Sequence, residues 1–183
     1  QKKRMKNTNH SLFDKYEMIK DLGTGSSGSV TLVRHISMDQ ERALKKVPKA
    51  SAFAESALSE ARLLKSLEHP SIPRIFDFEE DNAFYYIVEE YIDGETLDSF
   101  LLHQQLISPG LFFNICEQLC NVFIYLHTQI STPIIYRDLK PEHIIVCHNK
   151  LKLIDFGVSA YVIQDGNNFN HYGNIEFSAP ECF

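Results

Sequence analysis

No run of about 18 consecutive apolar residues occurs in this chain, which removes the sequence signature of a membrane-spanning helix. The N-terminus also lacks the apolar stretch of a secretory signal. Neither an internal repeat nor a low-complexity segment is present, which excludes solenoids and arrays. None of the four cysteines, Cys116, Cys120, Cys147 and Cys182, stands in a CxxC pair, and a chain of 183 residues needs no disulfide staples. Reduced thiols in the cytoplasm fit that usage. Positive charge is in deficit, with 18 Lys and Arg against 24 Asp and Glu and a formal net charge of −6. A partner bound by phosphate neutralisation is therefore not expected, and neither nucleic acid nor membrane is assigned to this chain. The basic "QKKR" at the start reads as a solvated, flexible arm over residues 1–13.

What is present is an ordinary globular composition, 44% apolar and 23% charged, in a length suited to one domain. The pattern changes character near residue 93. From Tyr16 to Ile92 it is mostly strands: "YEMIKDL", "SVTLV", "ERALKKV", "IPRIFDFEE" and "FYYIVEEY". One helix interrupts them at "ESALSEARLLKSL", where Ala57, Leu58, Ala61, Leu64 and Leu67 share a face. After "DGETL" the chain turns helical. Ser108 is the expected cap and Pro109 the first helical residue, with Leu111, Phe112, Ile115, Leu119, Val122, Phe123 and Leu126 as a buried stripe. The fold class expected is α+β.

Four stretches carry chemistry. In "LGTGSSGSV" the glycines Gly23, Gly25 and Gly28 have GxGxxG spacing, which by itself also fits a dinucleotide site or a plain flexible turn. A dinucleotide site needs a helix at the third glycine, whereas "SVTLVRH" returns to a strand, so a hairpin with phosphate-facing N–H groups is expected. Fifteen residues after Val30 comes Lys45, and fifteen further comes Glu60 on the amphipathic helix. The stretch "IIYRDLKPEHIIV", residues 134 to 146, sets a charged centre between apolar flanks, as a loop held by two short strands would. Then come "LKLIDFG", with Asp155 in a strand-to-loop turn, and "SAPE", ending at Glu181.

In this order and spacing the chain resembles the protein kinase family from about residue 14 to 183. The resemblance implies a two-lobe fold: a small antiparallel sheet lobe with one key helix over residues 14–92, then an incomplete, mainly helical lobe over 93–183. It implies ATP and magnesium as cofactors, with manganese as an alternative, and a protein substrate bearing Ser or Thr. Lys45 would hold the α- and β-phosphates and Glu60 would orient it. Asp138 would accept the substrate hydroxyl's proton and Lys140 would steady the transferred phosphate. The "DLK" spelling resembles the serine/threonine branch, eukaryotic-like bacterial enzymes included. Asp155 would bind the metal. Leu22, Val30 and Ala43 would roof the adenine, Ile145 would floor it, and Glu90, Tyr91 and Ile92 would offer hinge backbone groups. Leu64, Ile75, Tyr136 and Phe156 match the family's internal apolar column, with Tyr136 in place of its usual His.

Three positions depart from the family. His143 stands where Asn usually supplies a second metal ligand, and imidazole is softer than a carbonyl oxygen. A zinc cluster of His143, Cys147 and His148 is a minor alternative. Glu89 occupies the back of the adenine slot, where it either faces solvent or competes with Glu60 for Lys45. Asn174 replaces a Thr that bonds the catalytic loop. The helices that follow APE in the family are absent from this sequence. That absence would leave Phe112, Leu119, Phe123 and the Ile-rich loop flanks uncovered, so self-association is expected, with the segment between 156 and 181 a candidate for exchange. The expected function is a serine/threonine kinase. A nucleotide-binding pseudokinase and a fragment that only pairs with a partner are the alternatives.

Overall fold

The computed structural model of the protein describes residues 11–25, 28–104, 106–162 and 176–178. Its contacts divide the chain into two units, one of residues 1–54 and 75–91, the other of residues 55–74 and 92–183.

The first unit is a five-stranded antiparallel sheet in which β1 (Tyr16–Gly25), β2 (Gly28–His35), β3 (Gln40–Pro48), β4 (Ile75–Glu80) and β5 (Phe84–Glu90) lie in the order β1-β2-β3-β5-β4. Because successive side chains alternate across a strand, the register sorts them onto two faces. On one face Leu44 lies opposite Val88 and joins Leu12, Tyr16, Val33 and Tyr86 in a buried cluster, with Phe84 packed against it. Lys46 lies on that side with its Nζ 4.0 Å from the Phe84 ring centre. On the other face Val30 pairs with Lys45, and Lys45 with Ile87, while Leu32 pairs with Ala43, and Ala43 with Glu89. β1 and β2 pair antiparallel with Gly25 opposite Gly28, so the strand pattern after the third glycine holds. Gly28 has φ +140°, and a Cβ there would fall 2.1 Å from the Lys46 carbonyl oxygen, so only glycine fits this close approach of β2 to β3.

A short helix, α1 (Leu12–Lys15), precedes β1. Leu12 is fully buried, its N–H donates to Glu79 Oε2, and Phe13 meets Tyr86 edge-on at 5.2 Å. Lys15 Nζ pairs with Asp77 Oδ2 at 2.8 Å, a hydrogen bond that raises the lysine's pKa. Burying a leucine is worth about 2 kcal/mol, so α1 is held mainly by Leu12 and only slightly by its half-exposed ion pair. The arm expected over residues 1–13 therefore overlaps an ordered, buried element, and residues 1–10 lie outside the described residues. Between β4 and β5, Asp81 accepts the N–H groups of Ala83 and Phe84 and the Tyr86 hydroxyl, which hold its carboxyl below the usual range and fix the turn.

The second unit holds α2 (Ala54–Lys65), α3 (Leu97–His103) and α4 (Pro109–Ile124), which runs into a π-helical turn at Tyr125–Gln129. Five short strands accompany them: β6 (Glu95–Thr96), β7 (Ile134–Ile135), β8 (Ile144–Cys147), β9 (Lys150–Leu153) and β10 (Ala160–Tyr161). β6, β8 and β9 form one sheet, and β7 pairs with β10. The Ser108 hydroxyl caps α4 by accepting the Leu111 N–H, as the Ser-Pro start predicts. Along α4 Ile115 and Val122 are buried, as is Leu126 in the π turn, but Phe112 is 53% exposed. The buried stripe is narrower than the apolar pattern, because the spacing of apolar residues marks a face without saying how much of it is covered.

Gln118 on α4 binds the β8–β9 hairpin with both ends of its amide, donating to the Asn149 carbonyl and accepting the Leu151 N–H. The segment after α2 is tied to the same body. Tyr125 Oη accepts the Glu68 N–H at 2.7 Å, and the Ser71 carbonyl accepts the Leu153 N–H at 2.8 Å. These bonds explain why residues 55–74 group with the second unit, although their sequence lies between strands of the first.

Candidate active site

The loop between β7 and β8 is built around one aromatic side chain. Tyr136 is 2% exposed, its ring meets Phe156 at 5.0 Å and Phe123 at 6.3 Å, and its hydroxyl donates to the Ile154 carbonyl. Burial, then the nearby carboxylates of Asp155, Asp138 and Glu60, push this phenol far above its ordinary pKa, so it stays a neutral donor. Arg137 follows with φ +72°, in the left-handed region that non-glycine residues seldom adopt.

The loop sets three side chains together. Lys140 Nζ lies 3.3 Å from Asp138 Oδ2. Pro141 opens a 3₁₀ turn that carries His143 back beneath the loop, where it is 8% exposed. Its Nδ1 lies 3.0 Å from the Asp138 carbonyl oxygen and 3.4 Å from Asp138 Oδ2, and its Nε2 lies 3.3 Å from Asp155 Oδ2. A carbonyl only accepts, so Nδ1 carries a proton. In the neutral ring Nε2 then carries the lone pair, and it faces Asp155 Oδ2 at 3.3 Å.

Asp155 also has a left-handed backbone, with φ +60°, and its Oδ1 accepts the Gly157 N–H at 3.3 Å. The segment on either side is fastened. The Ile154 N–H donates to the His143 carbonyl, the Phe156 N–H to Glu60 Oε1 at 2.8 Å, and the Ser159 hydroxyl to the Tyr136 carbonyl. Beyond it, β10 pairs with β7 and the Val162 N–H donates to Pro133.

A divalent cation fits this donor set in part. Asp155 supplies the hard oxygen that magnesium requires, and His143 supplies a nitrogen that suits manganese better. Among the described residues no three His, Cys, Asp or Glu side chains converge into a metal cage, so phosphate and water oxygens would complete the shell. Zinc at His143, Cys147 and His148 does not fit: His143 is turned to the two aspartates, and Cys147 Sγ contacts His148 Nδ1 at 3.3 Å.

The remaining expected residues fall within each unit by itself. In the first, Gly23, Val30 and Lys45 lie side by side in register and Ala43 lies beside Leu32, all on one face, with Leu22 half-exposed on β1 and Gly25 and Gly28 at the hairpin end. Glu89, opposite Ala43, is on that same face and half-buried, so it is not simply turned away to solvent. Glu90 ends β5, and Tyr91 follows it. In the second unit, Ile145 is on β8 opposite Lys152, and Ile92 leads toward Gly94. Gly94 passes so close to β8 that a Cβ would lie 2.5 Å from the Val146 carbonyl oxygen. Asn174 and Ala179, Pro180 and Glu181 of the last motif lie outside the described residues.

Sequence reasoning missed Ser56, whose hydroxyl donates to the Gly157 carbonyl at 2.9 Å. The available signal was its place on α2 one turn before Glu60, hence on the same face.

A family model described as the protein kinase domain matches residues 16–183. Among the relatives, the serine/threonine-protein kinase PrkC of Bacillus subtilis is 30% identical over 176 residues, covering 91% of this chain and 26% of its own. The serine/threonine-protein kinase ppk25 of Schizosaccharomyces pombe is 34% identical over 167 residues, covering 88% and 39%. The cAMP-dependent protein kinase type 3 of Saccharomyces cerevisiae is 33% identical over 177 residues, covering 94% and 43%. The chain thus spans less than half the length of these relatives. With a glycine hairpin before a lysine-bearing strand, an Asp–Lys–His loop and an Asp-Phe-Gly turn bound to a helix glutamate, it belongs to the protein kinase family.

Proposed function

We propose that this chain transfers the γ-phosphate of ATP to a serine or threonine hydroxyl of a protein, in the cytoplasm. The observation that carries the reading is the Asp138 carboxylate beside the Lys140 ammonium, with His143 linking Asp138 to Asp155.

Phosphoryl transfer asks a protein chiefly to position groups and to neutralise charge. Asp138 accepts the hydroxyl proton as the oxygen bonds to the γ-phosphorus and the bond to the ADP oxygen breaks. Lys140 steadies the phosphoryl oxygens during this step. Lys45, on the sheet face it shares with Val30 and Ala43, holds the nucleotide's phosphates beneath the glycine hairpin. Glu60 fixes the Phe156 amide and so the backbone of Asp155. A divalent cation, when bound, supplies neutralisation of the phosphate charge, with Asp155 and His143 the residues that would hold it.

The test is incubation of the purified chain with γ-labelled ATP, a mixed protein acceptor and either magnesium or manganese. Label on serine or threonine is expected, and none with either metal would overturn the reading. His143 favours a second reading, a module that binds nucleotide without efficient turnover, because its nitrogen stands where a hard oxygen ligand is wanted. His143→Asn should raise magnesium-supported turnover relative to manganese-supported turnover by about tenfold, the scale of a ligand-shell change. An unchanged ratio would remove His143 from the metal shell.

Self-association is the further part of this proposal. Leu102 and Leu106 at the end of α3 and just beyond, and Phe112 and Phe113 at the start of α4, are all exposed, Leu106 to 89%. Large apolar side chains exposed close together along the chain, with the Phe112 and Phe113 rings in contact at 5.7 Å, favour burial against another surface. Sedimentation at micromolar concentration should give a dimer that Phe113→Asp shifts to monomer. A purely monomeric parent chain would sink the idea.

A further inference from the structure

We propose that Ser56 is a positioning residue for Asp155, an inference that rests on the phosphate-transfer reading above. Ser56 and Glu60 stand one turn apart on α2, so both side chains leave the same face of the helix. That face meets the two residues that follow Asp155. Glu60 Oε1 accepts the Phe156 N–H at 2.8 Å, and the Ser56 hydroxyl donates to the Gly157 carbonyl at 2.9 Å. The pairing is complementary in kind. The carboxylate can only accept and meets an N–H, while the hydroxyl can donate and meets a C=O. Two bonds of opposite polarity, from one rigid helix, fix both the position and the direction of the 156–157 segment. Either bond alone would leave it free to pivot.

This control matters because of the backbone just before it. Asp155 adopts φ +60°, a left-handed conformation that a residue with a Cβ holds only when its surroundings enforce it. The Ile154 N–H, given to the His143 carbonyl at 2.9 Å, anchors the chain before Asp155. Ser56 and Glu60 anchor it after. The carboxylate is coupled to the same segment, since Asp155 Oδ1 accepts the Gly157 N–H at 3.3 Å. Movement of Gly157 therefore moves the carboxylate.

Gly157 carries the complementary requirement. A Cβ at this position would lie 3.2 Å from Ser56 Oγ and 3.1 Å from Asp155 Oδ1, so the absence of a side chain lets the hydroxyl and the carboxylate both approach. Ser56 is half-buried, which limits the competition of water for its hydroxyl.

The experiment compares Ser56→Ala and Ser56→Thr with the parent chain in three measurements: amide hydrogen exchange over residues 154–159, kcat and KM for ATP in phosphate transfer, and thermal denaturation. Ser56→Ala loses one half-buried hydrogen bond and gains helix propensity, so its unfolding midpoint should move by only a few degrees. Even so, its exchange at 154–159 should rise about five- to tenfold and its kcat fall about tenfold, with KM for ATP within twofold. Threonine keeps the hydroxyl and should restore both exchange and kcat. Unchanged exchange in Ser56→Ala, faster exchange with unchanged kcat, or a threonine variant as impaired as the alanine one would each overturn the proposal. A parent chain that transfers no phosphate would overturn the transfer reading instead, and the exchange measurement would then decide the clamp by itself.

Discussion

Asp138→Asn should lower kcat for phosphate transfer by about 10²- to 10⁴-fold, the range of a lost general base, with little change in thermal stability. Asparagine keeps the shape of aspartate and an oxygen that accepts hydrogen bonds, but it cannot take the proton from an attacking hydroxyl. The surroundings of the residue survive the change. His143 Nδ1 lies closer to the backbone carbonyl of residue 138, at 3.0 Å, than to its carboxylate, at 3.4 Å, so its main bond is not made by the side chain. The left-handed backbone at Arg137 and the 3₁₀ turn at Pro141–His143 are likewise backbone features. The half-buried Lys140 loses its 3.3 Å partner, an effect too small to unfold the protein. Single-turnover transfer from γ-labelled ATP, with a denaturation curve on the same sample, checks the result. A variant within threefold of the parent would remove Asp138 from the proton transfer, and a large fall in stability would mean that the loss is not one of chemistry.

Tyr136→Ala should be the most destabilising single truncation in the second unit, costing about 3–5 kcal/mol. The ring is almost fully buried against Phe156 and Phe123, so its loss leaves a cavity that those two rings cannot both close. Its hydroxyl is also the donor to the Ile154 carbonyl. Removing it adds an unsatisfied buried acceptor directly before Asp155. Tyr136→Phe separates the two contributions, because it keeps the ring and loses only the hydrogen bond, at about 1–3 kcal/mol. Urea denaturation of both variants is the measurement. A Tyr136→Ala midpoint close to that of Tyr136→Phe would show that the ring contributes little and that the hydroxyl carries the effect.

Much of this fold was legible along the chain, for a local reason. Alternation in "ERALKKV" determines that Ala43, Lys45 and Val47 share a face opposite Leu44 and Lys46, and β3 has that arrangement. A strand pattern after the third glycine determines a hairpin and excludes a phosphate-binding helix. Ser108 and Pro109 determine where α4 begins, and apolar flanks around a charged centre determine a loop held by two short strands. Each of these is settled by residues within a few positions of one another, where backbone geometry fixes which side chains are neighbours.

What the tertiary structure alone decided lies in contacts between distant residues. No local pattern says that Glu60 meets the Phe156 amide and Ser56 the Gly157 carbonyl, about a hundred positions away. None says that Leu12 leaves the presumed arm to be buried with its N–H on Glu79, or that Phe112 stays exposed while Ile115 is covered. His143 reads in the sequence as a poor substitute for a metal ligand. Only the fold shows it with one nitrogen on the Asp138 carbonyl and the other facing Asp155. Periodicity specifies the face an element presents, but the partner of that face is chosen by packing the whole chain, where burial and the pairing of every buried polar group must be met together.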